Sequence, residues 1–217
     1  MIKIIGTSHV SPQSLKEIDR VIAEVKPDCV ALELDRNRFE ALKRGDHVNL
    51  SAIRYIGLKS YFVAKILSII QEHLGKKTGV MPGEEMMEAF KAGARSKADI
   101  ALIDRDIRVT LERMKTIPLR EKLKIILGVF KKVPVGEKFD LKKVPSDKLV
   151  ENMVEHVKEV SPTLYKVLIE ERDIHMARVL VELSKKYPKI VAVVGMGHKR
   201  GMEKELAKIK TAKQTSE

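Results

Sequence analysis

The sequence predicts an α/β protein: a mainly parallel central sheet with flanking helices and a large helical insertion. Three observations predict it. Four short apolar runs are separated by stretches of helical periodicity. The first 35 residues read strand, helix, strand, a unit that implies parallel pairing. Each apolar run also ends in polar residues at its carboxyl end.

Met1 to Ile5 is the first run, ended by Gly6. Ser11-Pro12 is a helix start, with Ser as cap and Pro at the first helical position. Leu15, Ile18, Ile22 and Val25 mark that helix's buried face, and Lys26-Pro27-Asp28 stops it. Cys29 to Leu34 is the second run, interrupted only by Glu33. From Asn37 to about Ala94 the pattern is helical, with Tyr61, Lys65, Ile66, Ile69, Ile70 and Leu74 on one long amphipathic helix. Lys76-Lys77-Thr78-Gly79 breaks it, and Met81-Pro82-Gly83 opens another helix carrying Glu84 and Glu85. Asp99 to Ile103 is the third run, ending at Asp104-Arg105-Asp106. Ile107, Leu111 and Met114 mark the next helix, and Pro118 begins one that reaches about Lys132. Val133 to Pro145 reads as a surface loop, and Leu149, Met153, His156 and Val157 as a helix. Ser161-Pro162 repeats the Ser-Pro start and leads a long helix to about Lys186. Ile190 to Val194 is the fourth run, followed by Gly195-Met196-Gly197-His198 and a last helix. The expectation is one domain over 1–210, an insertion at about 37–97, and a frayed tail over 211–217.

Composition bounds the function. A chain of 217 residues buries enough surface to need no disulfide or metal staple. The single cysteine, Cys29, excludes a disulfide framework and a Cys-rich zinc site. There is no apolar run long enough to span a bilayer and no signal peptide, so a cytoplasmic protein is the expectation. The formal net charge is +12, which would suit nucleic acid or an anionic membrane surface. Aromatic residues are 4% with no Trp, which disfavours a base-stacking platform and hence nucleic acid. Residues 121–145 and 199–213 each carry a net +4, so most of the excess lies outside the candidate cleft. High Lys, Glu, Ile and Val with three Gln and three Asn is the drift of heat-adapted proteins.

The chemistry signal is positional. In a parallel sheet all strand carboxyl ends lie on one edge, where open α/β folds bind ligands. Two Gly-x-x-His turns, at residues 6–9 and 195–198, would project His9 and His198 over that edge. Glu33 sits in an otherwise apolar strand, and a buried carboxylate is costly unless paired or bound to a cation. A salt bridge to Arg36 or Arg105 is the competing account. Glu85 reads equally as a helix-start carboxylate favoured by the dipole. Asp104, Arg105 and Asp106 read as caps and an ion pair. Glu170, Glu171, Arg172 and Asp173 sit mid-helix, with Glu171 and His175 four apart on one side, and a solvated charged face is the account that competes with a site there. His47, His73 and His156 have no supporting pattern.

Gly-Thr-Ser-His-Val-Ser at 6–11, Glu-Leu-Asp at 33–35, Pro-Gly-Glu-Glu-Met at 82–86, Asp-Arg-Asp at 104–106, Glu-Arg-Asp at 171–173 and Gly-Met-Gly-His at 195–198 resemble the TraB family. This is the pheromone-shutdown group that includes PrgY and is related to the TIKI proteases. The motifs run in the family's order over nearly the whole chain. The resemblance implies an EreA/ChaN-like fold and a site at His9 and His198, with Glu33, Glu85, Asp104, Arg105, Glu171 and Arg172 at family-related positions. It implies a divalent metal, Mn or Co before Zn or Fe, because TIKI relatives are metal-dependent peptidases. Many relatives carry transmembrane helices after the last motif, so a longer parent would be membrane-associated.

The leading expectation is a hydrolase acting on a peptide. His9, His198, Glu33 and Glu85 would hold the ion, which would polarise a carbonyl and acidify a bound water. Glu33 or Glu171 would take the proton, and Arg105 or Arg172 would hold the oxyanion or a substrate carboxylate, beside Asp104. A metal-free version uses His9 and Glu33 as base and orienter. A different class is a binding protein that sequesters a peptide or haem in the same cleft. A third is a basic adaptor on nucleic acid or anionic lipid.

Overall fold

The computed structural model describes residues 1–7, 12–45, 83–130 and 147–214. Strands β1 (Ile2–Thr7), β2 (Cys29–Leu32), β3 (Asp99–Leu102) and β4 (Ile190–Gly195) form one sheet in the order β1-β4-β2-β3. All three pairings are parallel. The helices are α1 (Pro12–Val25), α2 (Arg36–Lys43), α3 (Glu84–Arg95), α4 (Ile107–Met114), α5 (Leu119–Phe130), α6 (Asp147–Val160), α7 (Pro162–Tyr165), α8 (Glu171–Leu183) and α9 (Met196–Gln214).

β4 comes last in the chain yet lies between β1 and β2, with Ile190 opposite both Ile2 and Cys29. Every residue of β2 and β4 is buried. That is why these two runs are continuously apolar rather than alternating. Ile5, Val30, Leu32, Val191 and Val193 pack against α1 and α3 through Ile18, Ile22, Met86 and Ala89. Cys29, Ala31, Ala192 and Val194 pack on the opposite face, against α8 and α9 through Met176, Leu180, Met202 and Leu206. Gly93 lets α3 lie close on the sheet, since a Cβ there would stand 2.8 Å from Ile100 and 3.0 Å from Val30.

The crossover rule explains the two faces. The chain moves from β1 to β2 to β3 with α1 and α3 on one face. It then reverses direction to reach β4, and a right-handed return must use the other face, where α8 lies. Phe39 and Leu42 of α2 pack with the α1 and α3 cluster, so the chain leaves β2 toward that face. It leaves β4 toward α9. Neighbouring carboxyl ends that part in opposite directions open a crevice, the usual ligand position in such sheets.

A smaller apolar cluster of Leu111, Met114, Ile117, Ile125, Leu164 and Val167 joins α4 and α5 to α7 and the turn after it. Ser161 caps α7 as its sequence predicts, its Oγ accepting from Leu164 N. The single helix expected from Ser161 to Lys186 is instead interrupted by a π-helical turn, Lys166–Glu170. Arginines satisfy carbonyls there: Arg105 donates to Val167 O at 2.7 Å and Arg172 to Leu168 O at 3.1 Å. α9 continues to Gln214, past the fraying expected at Thr211. The amphipathic helix around Tyr61 to Leu74 and the loop at Val133 to Pro145 lie outside the described residues. No helix among the described residues is long and apolar enough to cross a membrane.

Candidate functional site

At the carboxyl ends of β2 and β4, the residues that follow each strand form a largely buried polar cluster. Glu33 extends the ladder of β2, its N–H donating to Val193 O at 3.1 Å. Strand alternation therefore sends its side chain to the face of Cys29 and Ala31, toward α8 and α9. It is 5% exposed. Its Oε2 accepts from Gly195 N at 2.6 Å, tying β2 to the end of β4. Its Oε1 pairs with Arg172 Nη2. The partner is thus neither Arg36 nor Arg105, because α8, not the neighbouring loops, covers this face.

Arg172 is the hub. It grips Asp104 in a fork, Nε to Oδ1 at 3.1 Å and Nη2 to Oδ2 at 2.8 Å. Its Nη1 stands 2.9 Å from His198 Nε2. Burial works against the charge, but Glu33 and Asp104 outweigh it and hold the guanidinium pKa above its ordinary value. Of the two accounts left open for 170–173, the solvated charged face fails at Arg172 and Asp173. Glu170 is exposed, but Arg172 is turned inward and Asp173 is 3% exposed.

His198 lies in the first turn of α9, with Nδ1 2.6 Å from Asp173 Oδ1 and Nε2 3.4 Å from Glu33 Oε1. Arginine has no lone pair to offer, so in this contact Nε2 accepts from Arg172, which leaves Nδ1 to donate to Asp173. Burial raises the Asp173 pKa, and the bond to His198 opposes that shift. Gly201 makes the room: a Cβ there would sit 1.8 Å from Asp173 Oδ2. Asp173, which the sequence reading did not place at the site, joins it through His198. Its signal was present, a third charge beside Glu171 and Arg172 together with a glycine inside the last helix.

The outer layer is a carboxylate–arginine lattice. Arg105 uses its whole fork on the protein: Thr110 Oγ1 at 3.1 Å, Glu171 at 2.9 Å and Val167 O at 2.7 Å. Glu171 also accepts from Arg113 at 2.5 Å, and this bond leads the effects that hold its pKa below the ordinary carboxylate range. A carboxylate so held is a weaker base than a free one, and Arg105 is bonded at each of its three nitrogens. Arg38 reaches Asp104 at 3.3 Å from α2, whose N-cap is Asp35. Asp35 Oδ1 accepts from Asn37 N and Arg38 N, while its Oδ2 is buried without a hydrogen-bond partner. Glu85 is fully buried in the first turn of α3 and accepts from Gly83 N at 3.1 Å.

The implied metal set was His9, His198, Glu33 and Glu85. His9 lies outside the described residues. At His198, Nδ1 is taken by Asp173 and Nε2 faces a guanidinium, while Glu33 is neutralised by the same guanidinium. A cation at Nε2 would have to displace Arg172, so these donors as arranged do not fit one. Among the described residues no group of three or more His, Cys, Asp or Glu is arranged to hold a metal ion.

Known proteins are similar to this chain in sequence. A protein of Methanocaldococcus jannaschii, itself uncharacterized, is 38% identical over 219 residues, covering 96% of this chain and 54% of the relative. A TraB domain-containing protein of Bos taurus is 30% identical over 231 residues, covering 93% of this chain and 61% of the relative. The TraB domain-containing protein of Mus musculus is 29% identical over the same span. The chain thus spans little more than half the length of these relatives. The family model for TraB/PrgY/gumN matches residues 2–216, so the crevice and all its charged residues fall inside the match. The chain belongs to the TraB/PrgY/gumN family.

Proposed function

We propose that this chain is a hydrolase of peptide bonds that works at the crevice between β2 and β4. One observation carries the reading: a buried Asp173–His198 pair holds an imidazole with its basic nitrogen toward Arg172 and Glu33, on the ligand-binding edge of a parallel sheet. Asp173 fixes the tautomer, and once the substrate draws Arg172 Nη1 away from Nε2, that nitrogen takes the proton of an attacking water. The Nη1 N–H that leaves His198, 2.9 Å away, turns to the carbonyl oxygen and holds the negative charge that develops there. Glu33 and Asp104 keep Arg172 in place. On the same reading the fold is EreA/ChaN-like.

A divalent ion, if bound, would act as Lewis acid; no step above is assigned to it. The test is incubation of the native chain with a mixed peptide pool, products read by mass spectrometry, with chelator or with added Mn or Co. Cleavage that survives chelation and disappears in His198→Ala and Asp173→Asn is expected. Cleavage restored only by Mn or Co would return the metal to the mechanism. Peptides retained but intact in every condition would replace hydrolysis with sequestration.

A further inference from the structure

Apart from Met1, every exposed large apolar side chain among the described residues falls between Ile107 and Leu123. Ile107 is 38% exposed, Val109 46%, Leu119 72% and Leu123 52%. Leu119 and Leu123 are four apart on α5 and share a side. Residues 107–124 hold six Lys or Arg and two acids. One of those acids, Glu121, is turned inward, accepting from Ser161 Oγ at 2.5 Å and from Thr163 Oγ1 at 2.9 Å. Over 119–125 the helix thus presents to solvent two leucines and only positive charge, at Arg120, Lys122 and Lys124.

We propose that α4 and α5 form an interfacial seat for an anionic lipid bilayer, with Leu119 and Leu123 inserted among the headgroups. Apolar insertion flanked by cations is how amphipathic helices hold anionic membranes. A protein partner is the poorer match, because lysine is depleted in protein interfaces. Nucleic acid has no use for leucines at the centre of the patch. α4 starts from Asp106, just past β3 on the sheet's carboxyl edge, and its Arg113 bonds Glu171 beside the crevice. The seat would therefore bring the candidate site to the lipid surface. It does not depend on the hydrolase reading.

Flotation of the full chain with phosphatidylcholine vesicles, with and without phosphatidylglycerol, tests it. Binding to the anionic vesicles alone is expected, falling steeply as salt rises. Leu119→Ser with Leu123→Ser should weaken it by about tenfold or more. Arg120→Glu with Lys124→Glu should weaken it by at least about fivefold per cation removed. Lys204→Glu with Lys208→Glu on α9 changes net charge equally and should leave most of the binding. All three variants should keep the parent's thermal unfolding curve, since each site is exposed. Absence of anionic binding, equal binding to neutral vesicles, or equal loss in the α9 variant would overturn the seat. So would a concentration-dependent dimer abolished by the leucine variant, which would make a second copy the occupant.

Discussion

Arg172 contributes a fork that no other residue type supplies. Five of its bonds converge on Glu33, Asp104, Leu168 O and His198. Removing one partner of a buried pair leaves the other charges uncompensated, which costs about 3–5 kcal/mol. Arg172→Met should lose about that much in urea unfolding, and Arg172→Lys should recover little of it, because an ammonium cannot span both carboxylates. Asp173 differs in kind. Asp173→Asn keeps the shape but can present an N–H to His198 Nδ1, which would move the ring proton to Nε2. Peptide hydrolysis should fall by about two to four orders of magnitude while stability changes modestly. Equal losses in activity and stability would mark Asp173 as purely structural.

Three devices that helical periodicity does not advertise set how the helices meet. α8 and α9 approach through Gly201, and Gly201→Ala must push the buried Asp173 carboxylate aside. A loss of about 1–3 kcal/mol is expected in thermal or urea unfolding, with weaker hydrolysis because His198 loses its anchor. α5 meets α7 through Glu121. Burial pushes that carboxyl up, but bonds from Ser161 and Thr163 outweigh it and hold its pKa below the ordinary range. A depressed carboxylate pKa stabilises the fold above the unfolded value and loses that stability as pH falls through the folded value. Ser161→Ala should therefore lower Tm at neutral pH, and its gap from the parent should narrow below about pH 4. A gap that persists unchanged in acid would show that Ser161 acts only as a cap. The π turn is the third such device. One added residue rotates everything after it by about 100° relative to an unbroken helix. It turns Arg172 and Asp173 inward, which is why a uniform helical reading placed them in solvent.

The sheet sets the stability gradient of the whole molecule. β2 and β4 are covered on both faces, whereas β1 and β3 are edges. Hydrogen exchange should be slowest in Val30–Leu32 and Val191–Val194, and faster in β1 and β3. Uniform protection across the four strands would contradict this placement. The same strand order makes the site. Glu33 and His198 are far apart in sequence, and they meet because β4 inserts beside β2 after the chain reverses direction. The net +12 also resolves at this level. Behind the ends of β2 and β4 arginines and carboxylates pair closely, while exposed positive charge on α5 surrounds exposed leucines.

The order of strands and helices, the parallel sheet, and the strain of Glu33 in an apolar run were all legible in the sequence. They rest on periodicity, chain direction and the cost of burying a charge, which act locally or by rule. His198 at a strand end was legible for the same reason. The strand order β1-β4-β2-β3, the choice of Arg172 over Arg36 or Arg105, and the pairing of Asp173 with His198 belong to the tertiary structure. They depend on long-range packing, a one-residue slip in a helix and the space left by a glycine, none of which leaves a periodic trace in the chain.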